Sequence, residues 1–271
     1  MKNRKIVSMA ALIAASLSAA HAQTITGWTF DNDGVQAQPY NSPAPSTGVG
    51  TASVLGMLNS YNGTNSVPGA DIASAAGSSG GGPDAWRIRG YTGNAQPNAG
   101  NGWSTQAPIG TQGAEFAVDT SLYNNIAISF DVDTTAQAER NLAVLYTLND
   151  TVGSPTWLNA TITSAGTLGT LANNSSSSLT ISGNYVQLGS GWNNQITASL
   201  PGASADPNFA VEIVNASTGT DNVGVSGSAY NNSSGNWRLD NVVISSVPEP
   251  TTLALAGLGG LAALVAVRRR K

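Results

Sequence analysis

Between residues 23 and 247 apolar side chains recur at every second position in short runs, most clearly in Ile126-Ala127-Ile128-Ser129-Phe130-Asp131-Val132-Asp133. Ile126, Ile128, Phe130 and Val132 fall on one side and Ser129, Asp131 and Asp133 on the other, the period of two that marks a half-buried strand. The same alternation predicts strands at 25–30, 86–91, 115–118, 142–148, 157–162, 179–181, 185–188, 196–200, 209–214 and 237–244. No part of this body carries a helical stripe longer than two turns. Short strands parted by Gly, Pro and Asn turns predict an all-β antiparallel sandwich, one domain spanning 23–247. Residues 35–83 read as a long connection of small side chains, and its end at 75–83 (AAGSSGGGP) reads as too flexible for a core.

The two ends follow a different pattern. Residues 1–22 open with a basic MKNRK, continue through an uncharged apolar run at 6–19, and close on Ala20-His21-Ala22. Small residues at −3 and −1 complete a secretory signal peptide, cleaved between Ala22 and Gln23. At the other end Val247-Pro248-Glu249-Pro250 interrupts regular structure, because two prolines flank one residue. Seventeen uncharged residues follow at 251–267, then Arg268, Arg269, Arg270 and Lys271. As a helix the apolar run reaches about 25 Å, enough to cross a thin bilayer. The four cations hold its far end on the cytoplasmic side and leave 23–247 on the opposite one.

These features, in this order, resemble the PEP-CTERM sorting signal of Gram-negative bacteria, also known as the ice-binding protein C-terminal domain. The resemblance covers residues 248–271 and the preceding Val247. It implies that an exosortase, a membrane-embedded cysteine transpeptidase, recognises and cuts the chain near Pro248-Glu249-Pro250. The inner membrane then holds the precursor only transiently, and the body passes to the cell surface or the extracellular matrix.

Charge narrows the partners. Seven of the eleven basic residues sit at the two ends, and the body keeps only Arg87, Arg89, Arg140 and Arg238 against fourteen carboxylates. A body at −10 repels phosphate backbones, which argues against nucleic acid. The chain has no cysteine, and its one histidine, His21, lies in the segment expected to be removed. A mature chain so composed builds no Ser-His-Asp triad, no thiol nucleophile and no Cys/His zinc site.

The remaining candidates are few. Trp237-Arg238-Leu239-Asp240-Asn241-Val242-Val243-Ile244 resembles the closing strand of jelly-roll domains in bacterial surface proteins and carbohydrate-binding modules, which implies a jelly-roll-like sandwich with the first strand near the last. Asp31-Asn32-Asp33-Gly34 and Asp240 are oxygen donors that a calcium ion could share, although the plainer reading is an ordinary turn for the tetrapeptide and an arginine partner for Asp240. Trp103 (GNGWST) and Trp192 (GSGWNN) lie in Gly/Asn-rich loops, where the ordinary role is to fold back over an open end of the sandwich and the alternative is an indole face stacked on a sugar ring. Glu115 and Glu212 occupy polar positions of alternating strands and read as solvated, and no spacing picks out a catalytic carboxylate pair. The expectation is a non-enzymatic exported protein, structural or adhesive, with recognition of extracellular polysaccharide as the alternative and a glycoside hydrolase or lyase as a third reading.

Overall fold

The computed structural model describes residues 22–31, 42–59, 67–68, 70–89, 102–151, 153–173, 184–217, 223–231 and 234–247. The signal-peptide segment up to residue 21, the strand predicted at 179–181, and residues 248–271 lie outside them. In chain order the strands are β1 (Gln23–Trp28), β2 (Thr51–Leu55), β3 (Leu58–Asn59), β4 (Val67–Pro68), β5 (Ala70–Ser74), β6 (Asp84–Arg89), β7 (Gly113–Val118) and β8 (Ile126–Thr134). They continue as β9 (Asn141–Thr147), β10 (Leu158–Asn159), β11 (Thr161–Ala165), β12 (Thr170–Asn173), β13 (Asn184–Gln187), β14 (Gly191–Ser199), β15 (Phe209–Asn215) and β16 (Asn236–Ser246). Every regular element among the described residues is a strand.

Two antiparallel sheets form. Sheet I runs β11-β14-β8-β16-β6-β5, and sheet II runs β12-β13-β9-β15-β7-β2. The eleven-residue β16 has β8 along one side, while β6 pairs with its first half and β1 with its second. The eight strands β6, β7, β8, β9, β13, β14, β15 and β16 stand in the orders β14-β8-β16-β6 and β13-β9-β15-β7. Most of the turns between them therefore cross from one sheet to the other, which sets two inner faces against each other.

The inward positions of the alternating runs make the core. Ile126, Ile128, Phe130 and Val132 of β8 are buried, as the period of two requires. Trp28 of β1 meets Phe116 of β7 with ring centroids 4.9 Å apart, and Trp86 of β6 meets the same Phe116 at 6.0 Å. One ring of sheet II is thus held by two of sheet I, and each buried aromatic contributes about 2–3 kcal/mol.

Residues 35–83 correct the sequence reading, because β2 and β5 lie within them, each as the outermost strand of its sheet. ADIAS and TASVL carry too little apolar contrast to announce themselves, but an edge strand needs only one neighbour. The strand predicted at 157–162 is two strands. β10 pairs with β9 of sheet II, Ala160 turns the chain, and β11 pairs with β14 of sheet I.

Candidate functional site

Sheet I carries an acidic cluster on its outer face. Opposite the middle of β8, the register slips on both neighbours, in β14 between Asn193 and Ile196 and in β16 between Asp240 and Val243. The extra residues Gln195 and Asn241 take left-handed φ of 62° and 49°, a conformation that costs about 1–2 kcal/mol for a side chain with a Cβ. Asp131 lies between the bulges and offsets that strain. Its Oδ1 accepts the Gln195 N–H at 2.7 Å, and its Oδ2 accepts Asn241 Nδ2 at 2.9 Å, the Ser79 N–H at 2.7 Å and Ser79 Oγ at 2.6 Å.

The segment 75–83 is therefore not a free connection. It folds down on sheet I, where Trp192 Nε1 donates to the Ala76 carbonyl at 2.8 Å and Asn194 Nδ2 to that of Gly77 at 2.9 Å. Glycine is required for this approach: at Gly77 (φ 104°) a Cβ would stand 2.7 Å from the Trp192 ring, and at Gly82 (φ 98°) one would stand 2.1 Å from Asp31 Oδ1.

Asp240 and Asp31, two of the three candidate calcium ligands, do reach this cluster. Burial pushes the Asp240 carboxyl up to about 7, and the nearby Asp31 and Asp131 add to the rise. Its Oδ1 accepts the Asn241 N–H at 2.7 Å and its Oδ2 accepts Asn241 Nδ2 at 3.1 Å. Asp33 lies outside the described residues. Among the described residues no three Asp, Glu, His or Cys side chains stand at a spacing that holds a metal ion.

The two candidate sugar-stacking tryptophans part company. Trp103 is fully buried, its ring centroid 4.6 Å from that of Trp237. Of the two readings of Trp103 the structure shows the inward one: the loop folds back and closes this end of the core. Trp192 is half-buried under Gly77 and keeps part of its ring exposed.

Sheet II brings together a pair that sequence reasoning missed. In register across its strands stand Ser53, Glu115, Glu212 and Leu145, and in the next outward-facing row Leu55, Gly113, Val214 and Ala143. The two glutamates are thus direct cross-strand neighbours on the face turned away from the core. Tyr185, Ala216 and the partly buried Ile109 pack with Ala143 and Val214 into a small second apolar cluster there. The turn holding Ile109 is tied down by Asn215, whose Nδ2 donates to the Pro108 carbonyl at 3.0 Å.

Glu212 is only 4% exposed, so the reading of a solvated side chain is corrected. Its burial, followed by the charges of Glu115 and Asp150, pushes its carboxyl up to about 8. Glu115 is raised by burial and by Asp150, against a bond from Ser53 Oγ at 3.4 Å. Among the described residues Glu212 Oε2 has no hydrogen-bond partner. The arrangement is a protonated acid beside a second carboxylate, a donor and acceptors on a half-covered apolar patch. Only strand pairing creates it, and no feature of either local sequence names the other.

A third buried acid is structurally engaged. Glu139 is fully buried and raised to about 8 by that burial. Its Oε1 accepts the Asn141 N–H at 2.7 Å and its Oε2 accepts the Tyr230 hydroxyl, which fastens the 223–231 loop to the sandwich. Arg238 of β16 pairs with Asp133 at 3.3 Å.

Comparison with known proteins places the C-terminus. Residues 246–271 match the PEP-CTERM protein-sorting motif. The chain therefore carries an exosortase-directed signal of an exported protein with a membrane-anchored precursor. No curated protein matches it. Among solved structures the chain is similar to the CBM22-1 xylan-binding domain from Paenibacillus barcinonensis Xyn10C, at 10% identity and a TM-score of 0.39, over 86% of this chain and 99% of that one.

Proposed function

We propose that this protein is an exosortase substrate whose β-sandwich, with the strand order of a jelly roll, serves outside the cell as a non-catalytic structural or adhesive component of the surface or extracellular matrix. The observation that carries this reading is the sorting motif beginning at Ser246, the last residue of β16, so that the signal follows the folded body without a linker. The signal peptide at 1–22 and the span at 251–267 complete the same itinerary. The test is processing in cells with and without exosortase. With the enzyme, a body lacking the 248–271 tail is expected outside the inner membrane, and without it the uncut chain is expected in that membrane. Identical products in both strains overturn the reading.

Absence of catalysis is supported by where the carboxylates stand. Glu212 is buried beside Glu115, whereas glycoside hydrolysis needs both carboxyls open to a scissile bond between them. Glu115 favours a second reading, contact with extracellular polysaccharide through the outer face of sheet II. Sugar hydroxyls bond to the half-buried Glu115 carboxyl, which Glu212 backs from beneath, and the half-buried Leu145 supplies apolar rim. Affinity electrophoresis in gels holding the host's own exopolysaccharide tests it: Glu115→Gln with Glu212→Gln is expected to abolish retardation, while Trp192→Ala reports on a separate contact.

A further inference from the structure

The pairing of the first and last strands brings both expected processing points to one end of the sandwich. Gln23 and Ser246 are direct partners across β1 and β16. The ladder is continued past β16, for the Val247 N–H donates to the Asn125 carbonyl at 2.9 Å and Ser246 Oγ to that of Asn124 at 2.7 Å. Both the expected cleavage point at Gln23 and the sorting motif therefore leave the sandwich at one point. That point lies at the end built by the turns 119–125 and 200–208, which join β7 to β8 and β14 to β15.

The reach of the chain does the rest. The apolar run begins at Thr251, four residues past Val247. Four residues span at most about 14 Å fully extended, and the headgroup layer is itself about 6 Å thick on each side of the hydrocarbon. No folded body on so short a tether can turn its other end to the bilayer, since β16 alone is about 36 Å long.

We infer that, while the tail is intact, the sandwich stands on the lipid surface with turns 119–125 and 200–208 foremost, and with turns 135–140 and 223–231 held farthest away. Leu122 and Val49, 87% and 86% exposed, project from that near end. Asp119, Asp150 and Asp206 flank strand ends there, whereas Arg87, Arg89, Arg140 and Arg238 all lie at or within two residues of the opposite strand ends. The near end thus has no basic side chain with which to hold an anionic bilayer, and the tether is what keeps it in place. This rests on reading 251–267 as a membrane span.

The chain has no cysteine, so single labels are simple to place. Full-length Leu122→Cys and Ser226→Cys proteins, each carrying one bimane, are reconstituted in phosphatidylcholine vesicles with and without a headgroup nitroxide lipid. Quenching of about twofold or more is expected at position 122 and none at position 226, given a separation close to the sandwich length. Co-flotation with equal quenching at both positions, or with none at 122, overturns the orientation. Failure to float with the vesicles overturns instead the membrane span beneath it.

Discussion

Asp131 shows how one carboxylate can hold two strained bulges and a loop together. Four donors converge on it, two of them from residues with left-handed backbone, so Asp131→Ala leaves buried N–H groups unsatisfied as well as releasing 75–83. A loss of about 3 kcal/mol is expected in urea unfolding followed by circular dichroism. The tryptophans divide by the same logic. Trp103→Ala empties a packed site against Trp237 and is expected to cost about 3–5 kcal/mol. Trp192→Ala gives up one exposed-side bond to Ala76 and part of a ring contact, so about 1 kcal/mol is expected.

At the scale of strands, the pair Glu115–Glu212 is the feature whose chemistry depends most on register. Above pH 8 Glu212 ionises beside another carboxylate in a buried setting, and at pH 5 it is protonated. Glu212→Gln is therefore expected to raise the urea midpoint at pH 9 and to leave it nearly unchanged at pH 5. Strands such as β8 and β15 were legible because their apolar and polar positions alternate strongly. β2 and β5 were not, since Ala, Ser and Thr on an edge give little contrast, and their partners lie about sixty and fifteen residues away respectively. The glutamate pair was illegible for a related reason: 97 positions separate its members, and only the β7–β15 ladder joins them. Trp103 and Trp192 sit in similar Gly/Asn settings, and local composition did not tell the loop that folds inward from the one that leaves a ring edge outside. The sorting motif, by contrast, was fully legible, because contiguous residues carry it and no fold is needed to assemble it.

For the molecule as a whole, several acids titrate in the same direction. Glu139 and Glu212 lie near 8 and Asp240 near 7 in the folded protein, against ordinary values of 4.5, 4.5 and 3.8. Between those limits the folded state keeps protons that the unfolded chain has released. The stability linked to them is complete below about pH 4 and is lost as pH rises through 7 and 8. A melting temperature higher by about 5 °C at pH 5 than at pH 8.5 is expected, and Glu139→Gln should flatten part of that slope. Because Asp131 and Asp240 already accept protein donors, the melting temperature is expected to be the same in calcium and in chelator. A rise of several degrees with calcium would show that Asp31, Asp33 and Asp240 share an ion after all.

Strands that begin and end as hydrogen-bonded neighbours also make the order of the chain dispensable. A short peptide joining Val247 to Gln23 would bridge little more than one inter-strand spacing, about 5 Å. Opening the polypeptide instead at the exposed Ser226-Gly227-Ser228 turn would keep every ladder of both sheets. Such a circular permutant should melt close to the parent, and the same geometry lets this sandwich be spliced into a surface loop of an unrelated host as a self-contained graft.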